Sequence, residues 1–142
     1  MFSQLVRHVM EQEPMLTAPP QSTVVQAARR MAGSATGALM VVDAQDRLVG
    51  IFTGRDALFR VLALGRDPLR TRLDEVMTPG PVTVSPEATF GYALQLMHER
   101  RCHHLPVVDA GQLLGIVSAR DAMDPELEEF VCEAQRRVGA RR

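Results

Sequence analysis

The sequence predicts a mixed α/β fold of two β-α-β-β-α repeats, packed sheet to sheet with pseudo-two-fold symmetry. Three observations carry this. The stretch GIFTGRD (residues 50–56) returns as GIVSARD (residues 115–121). The flanking chain repeats with it: VMEQEPMLTAPPQSTVVQAARRM opens one copy and VMTPGPVTVSPEATFGYALQLM the other. The offset falls only from 67 residues (Met10 to Met77) to 66 (Met31 to Met97) and 65 (Asp56 to Asp121), as small loop deletions would cause. One unit of about 60 residues would leave an apolar sheet face uncovered and be marginal alone, so the copies share one core rather than forming two beads.

Each element follows from local chemistry. PMLTA and PVTVS are short apolar segments that read as brief strands. Ser22 is placed to N-cap a helix that turns Val24, Val25, Ala28 and Met31 inward and ends at Gly33. In the second copy Pro86 and Glu87 open the helix, with Phe90, Ala93, Leu94 and Met97 on one face. The strands ALMVVD and LPVVD lead through the turns AQDR and AGQ into the strands LVGIFT and LLGIVS. A helix then starts near GRDALFRVLALG, or ARDAMDPELEEF in the second copy. In the linker, Leu73 and Val76 echo Val6 and Val9, and the paired methionines read as core fillers. The expected division is repeat 1 over 1–66, repeat 2 over 67–124, and a C-terminal helix with a basic tail over 125–142. That helix gathers Leu127, Phe130, Val131 and Ala134 on one side and needs a partner for them.

Composition narrows the function. The 142 residues are 46% hydrophobic and 23% charged, with a net charge of −1, so no global pull toward nucleic acid or anionic membrane is expected. One tyrosine and no tryptophan argue the same way against nucleic acid. All 16 basic residues are arginine, so a bound anion must be met by arginine, histidine, hydroxyls or backbone N–H groups. Cys102 and Cys132 form neither a CxxC nor a Cys/His metal pattern. The N-terminus meets charge too early for a signal peptide, and no apolar run approaches the ~20 residues of a membrane span. A cytoplasmic, reducing location is expected.

The repeated motif carries the chemistry. Thr53 and Ser118 place a hydroxyl between a strand and a helix start, where backbone N–H groups favour an anion. Arg55 and Arg120 add a fork suited to phosphate, and Asp56 and Asp121 can accept from the paired hydroxyls of a ribose. The same residues also fit a plain capping role, with the hydroxyl as N-cap and the acid in the first turn.

At these residues the chain resembles tandem CBS domains, the pair called a Bateman module. The carriers are VM(T)P ahead of each copy, LPVVD before the second hairpin, and GI-apolar-(T/S)-x-R-D closing each unit, over residues 6 to 125. The resemblance implies a stand-alone, non-catalytic regulatory pair whose clefts hold an adenosyl ligand: AMP, ADP, ATP or S-adenosylmethionine. No other cofactor, no metal and no catalytic residue is implied. It implies one cleft joining Thr53, Arg55 and Asp56 to Pro81, Val82, Cys102, His103 and His104. A second joins Ser118, Arg120 and Asp121 to Pro14, Met15, Thr36, Gly37 and Ala38. RRCHHLPVV keeps basic residues before its strand, whereas GSATGALMVV has none, so the first cleft is the better equipped for phosphate. Adjacent residues of a strand point oppositely, so one of His103 and His104 at most is expected in that cleft. The resemblance further implies a homodimer acting on an unidentified effector protein. The alternative is a ligand-free dimerisation scaffold.

Overall fold

The computed structural model describes residues 2–11, 14–122 and 136–137. The expected C-terminal helix, with Cys132, lies outside the described residues but for Arg136 and Arg137. Helix α1 (Val6–Met10) precedes the short strand β1 (Thr17–Ala18), helix α2 (Val24–Gly33) and the hairpin β2 (Ala38–Val42) and β3 (Leu48–Thr53). Helix α3 (Gly54–Asp56) continues as a π-helix over Ala57–Leu62. Helix α4 (Leu73–Val76), strand β4 (Thr78–Pro79), helix α5 (Phe90–Arg100) and the hairpin β5 (His104–Asp109) and β6 (Gln112–Ser118) follow, with a 3-10 turn at Ala119–Ala122.

The first sheet runs β1-β2-β3-β4, with β1 parallel to β2 and the other pairs antiparallel. The second is the β5–β6 hairpin, extended by a single parallel bridge from Val84 to Val107. Of the expected strand PVTVS, only Val84 pairs. The two hairpins are built alike: Ala38 faces Thr53 as His104 faces Ser118, and both shift register after the matching valine, Val41 or Val107. At the second hairpin tip Ala110 (φ 49) and Gly111 (φ 79) both adopt positive φ, as a tight two-residue turn requires.

Two helix starts differ from the sequence expectation. Thr23, not Ser22, caps α2: its Oγ1 accepts from Gln26 N (3.3 Å) while Gln26 Oε1 accepts from Thr23 N (3.0 Å). The buried stripe is then Val24, Ala27 and Met31, with Val25 half-buried and Ala28 exposed. Two adjacent alanines give composition no means of choosing between them. Helix α5 begins at Phe90 behind the cap Thr89, three residues after Glu87. Ser85–Ala88 instead form a turn whose carbonyls dock α1: Pro86 O accepts from Arg7 N (3.0 Å) and Ala88 O from Val6 N (2.8 Å).

That docking exposes a swap. Val6 and Val9 of α1 are buried with Phe90, Ala93, Met97, Leu105 and Val117 of the second copy. Leu73 and Val76 of α4 are buried with Val24, Leu39 and Phe52 of the first. Each leading helix therefore completes the other copy's core. A third cluster, Ala38, Met40, Ile51 and Ile116 flanked by Leu48 and Leu113, joins the two sheets face to face. The glycines of the repeated GI follow from the same swap. A Cβ on Gly50 would stand 2.9 Å from Met77 Cγ, and one on Gly115 3.2 Å from Met10 Cγ. The methionine of each VM thus lies over the glycine of the opposite copy's hairpin.

Candidate functional site

A cleft of about 740 Å³ opens between the repeats. The end of β3, α3 and the π-helix supply Thr53, Gly54, Arg55, Asp56, Phe59 and Arg60. The segment after β4 supplies Pro81 and Val82, and the chain between α5 and β5 supplies Arg100, Arg101, Cys102, His103 and His104. Gly37, Ile51 and Thr78 complete the lining.

Thr53 ends β3 in an extended conformation and caps α3 reciprocally with Asp56. Thr53 Oγ1 accepts from Asp56 N at 3.2 Å, and Asp56 Oδ2 accepts from Thr53 N at 2.9 Å and from Thr53 Oγ1 at 3.1 Å. Only 8% of Asp56 is exposed. Its other oxygen, Oδ1, has long contacts only: 3.4 Å to Thr78 Oγ1 and 3.6 Å to Arg60 Nε. The cap thus occupies one carboxylate oxygen and leaves the second with acceptor capacity toward the cleft. Capping and ligand binding are compatible roles for one side chain.

The π-helix carries two further groups into the lining. Its wider turns, Leu58 O accepting from Ala63 N and Val61 O from Arg66 N, follow directly on Asp56. Phe59 lies under the Arg55 guanidinium, 5.3 Å from Cζ to the ring centre. Arg60 Nη1 donates to Met77 O at 2.9 Å, tying the cleft to the end of α4. On the opposite wall, α5 terminates at Arg101 in the left-handed region (φ 54, ψ 43). There Arg101 N and Cys102 N reach back to His98 O and Met97 O. Burial pushes the Cys102 thiol up from its usual range, partly opposed by a hydrogen bond with the His104 backbone and by Arg100. The protonated thiol that results at neutral pH is a poor nucleophile.

All eight residues expected in the first cleft line it. Both histidines do so, against the expectation of one at most. His103 lies in a bend ahead of β5, so strand alternation begins only at His104. Gly37, expected in the second cleft, lines the first, where a Cβ would come 3.4 Å from His104 Cε1. Ala38 is fully buried between the sheets and is not in the lining of the first cleft. Ser118 is buried and its N donates to Asp121 Oδ2 at 2.9 Å, repeating the Thr53–Asp56 arrangement. Arg120 is exposed beside them, Pro14 and Met15 are exposed ahead of β1, and Thr36 is half-buried ahead of β2.

Sequence reading passed over Phe59, Arg60, Thr78, Arg100 and Arg101. The arginines at 100 and 101 were visible in RRCHH, and Arg60 stands one helical turn beyond Asp56. Phe59 depends on the π-helical register, which no periodicity announces. Together the walls set four guanidinium groups against one carboxylate over an apolar floor of Ile51, Pro81 and Val82. Such a cleft suits an anionic ligand with one flat apolar part. Among the described residues no group of three His, Cys, Asp or Glu is gathered to hold a metal ion. No helix among them is long and apolar enough to cross a membrane.

The CBS domain family profile matches residues 6–63 and 73–126. The CBS domain-containing protein CBSCBSPB3 of Arabidopsis thaliana is 37% identical over 102 residues, covering 72% of this chain and 18% of its own. The chain spans from 18% to 58% of the length of the first curated relatives it matches. A putative signal-transduction protein with CBS domains from Burkholderia ambifaria superposes with a TM-score of 0.78 at 34% identity, over 83% of this chain and 90% of that one. A CBS domain protein from Pyrobaculum aerophilum, complexed with AMP, shares the fold with a TM-score of 0.78 at 21% identity, over 92% of this chain and 99% of that one. Two matched segments, and a fold in which each completes the other's core, make this chain a tandem pair of the CBS domain family.

Proposed function

We propose that the chain is a non-catalytic regulatory module that binds an adenosyl ligand, an adenine nucleotide or S-adenosylmethionine, between Asp56 and the Arg100–His104 segment. One observation carries the reading: residues from both repeats close on one cleft of about 740 Å³, within the range of small-molecule sites. The apolar floor suits the base, the open Oδ1 of Asp56 suits the ribose hydroxyls, and Thr53, Arg55 and the histidines suit phosphate. The fold held by the Pyrobaculum aerophilum protein with AMP supports the choice of ligand. Because the two walls belong to different repeats, a ligand that binds better to one relative orientation shifts the population toward it. The reader of that shift is an effector protein in the cytoplasm, and the module acts as a homodimer. Leu58, Phe59, Leu62 and Leu64, each more than half exposed in and just beyond the π-helix, supply the apolar surface for a second copy.

A second reading has its own support. The Thr53–Asp56 cap is complete without any ligand, which a ligand-free dimerisation scaffold also requires. Melting the protein with adenosine, AMP, ADP, ATP and S-adenosylmethionine separates the two. A ligand at 100 times its Kd adds about 2.7 kcal/mol of stability, a clear rise in Tm. The regulatory reading expects that rise with at least one ligand and its loss in Asp56→Asn, which keeps a capping oxygen. No rise with any ligand leaves the scaffold.

A further inference from the structure

We infer that the ligand of this cleft carries a polyphosphate, a nucleoside di- or triphosphate rather than a monophosphate, and that Arg101 is the residue that selects it. The inference rests on the reading of the cleft as an adenosyl site. A second cavity of about 730 Å³ adjoins the first and shares Arg55, Arg101, Cys102 and His103 with it. It runs on along α5 to His98 and Glu99 and across to Ala119. Arg55 and Arg101 are the two arginines that line both spaces. A nucleotide seated on Asp56 therefore has beside it a second space that shares the same two arginines.

The charge balance points the same way. Arg55, Arg60, Arg100 and Arg101, with three histidines, face Asp56 and Glu99 across the two spaces. One oxygen of Asp56 is committed to Thr53 and the other is assigned to the ribose, and Glu99 Oε1 accepts from Gln95 Nε2 at 3.1 Å. Arg60 is drawn off to Met77 O. Arg100 ends α5 and complements its dipole, as any cation there would. Arg101 is different. Among the described residues no hydrogen bond or ion pair engages its guanidinium, and its backbone is left-handed, where glycine is favoured. The other non-glycine residues in that region, Ala35, Asp46 and Ala110, have short side chains. A long cationic side chain at a position that prefers none is accounted for by what its end reaches. Each phosphoryl group brings up to two negative charges, and planar guanidinium forks receive them in pairs.

The test is titration calorimetry with adenosine, AMP, ADP, ATP and inorganic triphosphate on the wild-type chain, Arg101→Gly and Ala35→Gly. ATP is expected to bind about tenfold more tightly than AMP, the worth of one charge-assisted contact. Arg101→Gly should erase most of that ratio without lowering Tm, because glycine relieves the backbone. Ala35→Gly, which relieves the equivalent turn after α2, should leave the ratio intact. AMP binding as tightly as ATP, or an unchanged ratio in Arg101→Gly, overturns the inference while the adenosyl reading stands. Inorganic triphosphate binding through Arg101 without any adenosyl compound binding keeps the anion site and overturns the nucleotide. Binding of none overturns both.

Discussion

The two copies of the repeated motif are built alike and furnished differently. In each, a hydroxyl residue ends a strand and its amide donates to an aspartate three residues on: Thr53 to Asp56, Ser118 to Asp121, both at 2.9 Å. The chain that follows then diverges. Phe59 and Arg60 of the first copy correspond, 65 residues on, to Asp124 and Pro125 of the second. The segment that faces the first motif comes from the opposite copy, and the matching segment expected to face the second differs from it. The first motif faces Arg100–His104, whereas the second was expected to face Thr36–Ala38, which carries no charge. Faithful repetition of a motif therefore does not by itself require two equal sites. The motif provides the cap and the acid, and its surroundings decide what the acid meets.

Paired substitution breaks this comparison most directly. Asp56→Asn removes the one carboxylate that lines the cleft and is expected to weaken the adenosyl ligand about a hundredfold, roughly 2.7 kcal/mol. Asp121→Asn should change that affinity by less than about twofold, within the ±0.5 kcal/mol typical of substitutions away from a site. Calorimetry with the ligand found by melting checks both. Equal losses from the two variants would mean two equivalent sites, and the asymmetry argued from the walls would fall.

The glycines offer a smaller but cleaner contrast, on stability alone. A methyl group on Gly50 would meet Met77 Cγ at 2.9 Å, whereas on Gly115 its nearest atom is Met10 Sδ at 3.0 Å. Gly50→Ala should cost about 1–3 kcal/mol by overpacking, and Gly115→Ala less. Met77→Ala combined with Gly50→Ala should recover part of the loss, a coupling that a denaturant melt of the four-member cycle measures. Additive losses would mean that the swapped helices do not press on the hairpins.

These contrasts also mark how far the sequence could be read. The repeat and the hairpins were legible, because a doubled motif leaves a signal that does not depend on propensity, whereas the pairing of Thr53–Asp56 with Cys102–His104 was implied only by the family resemblance. The swap of α1 and α4 between cores was not: Val6 and Leu73 have the same apolar character whichever copy they join. Helix starts were blurred where two residues could cap equally well, Ser22 and Thr23, or where a proline suggested a start that the chain uses for docking α1. The place of Gly37 in the first cleft was not foreseen because its neighbour across the interface, His104, is 67 residues away in the chain. Arg60 was missed because its partner carbonyls, at Val76 and Met77, are exposed only once α4 ends.

Arg60 gives the smallest expected effect and the sharpest view of how the first motif differs from the second. Its guanidinium stands 3.6 Å from Asp56 Oδ1 and donates to Met77 O, so it joins the cleft acid to the chain leading into β4. Its Arg–Asp pair has the arginine half exposed, and solvent screens such pairs strongly. Arg60→Gln should therefore cost no more than about 1 kcal/mol of stability. Its larger signature should be local: amide exchange over residues 73–79 should quicken, since the last carbonyls of α4 lose their side-chain donor. Ligand binding should slow exchange there in the wild-type chain and do so less in the variant. A ligand effect of the same size in both would show that occupancy reaches the linker without Arg60, and that the first copy's arginine, where the second has Pro125, serves only the cleft.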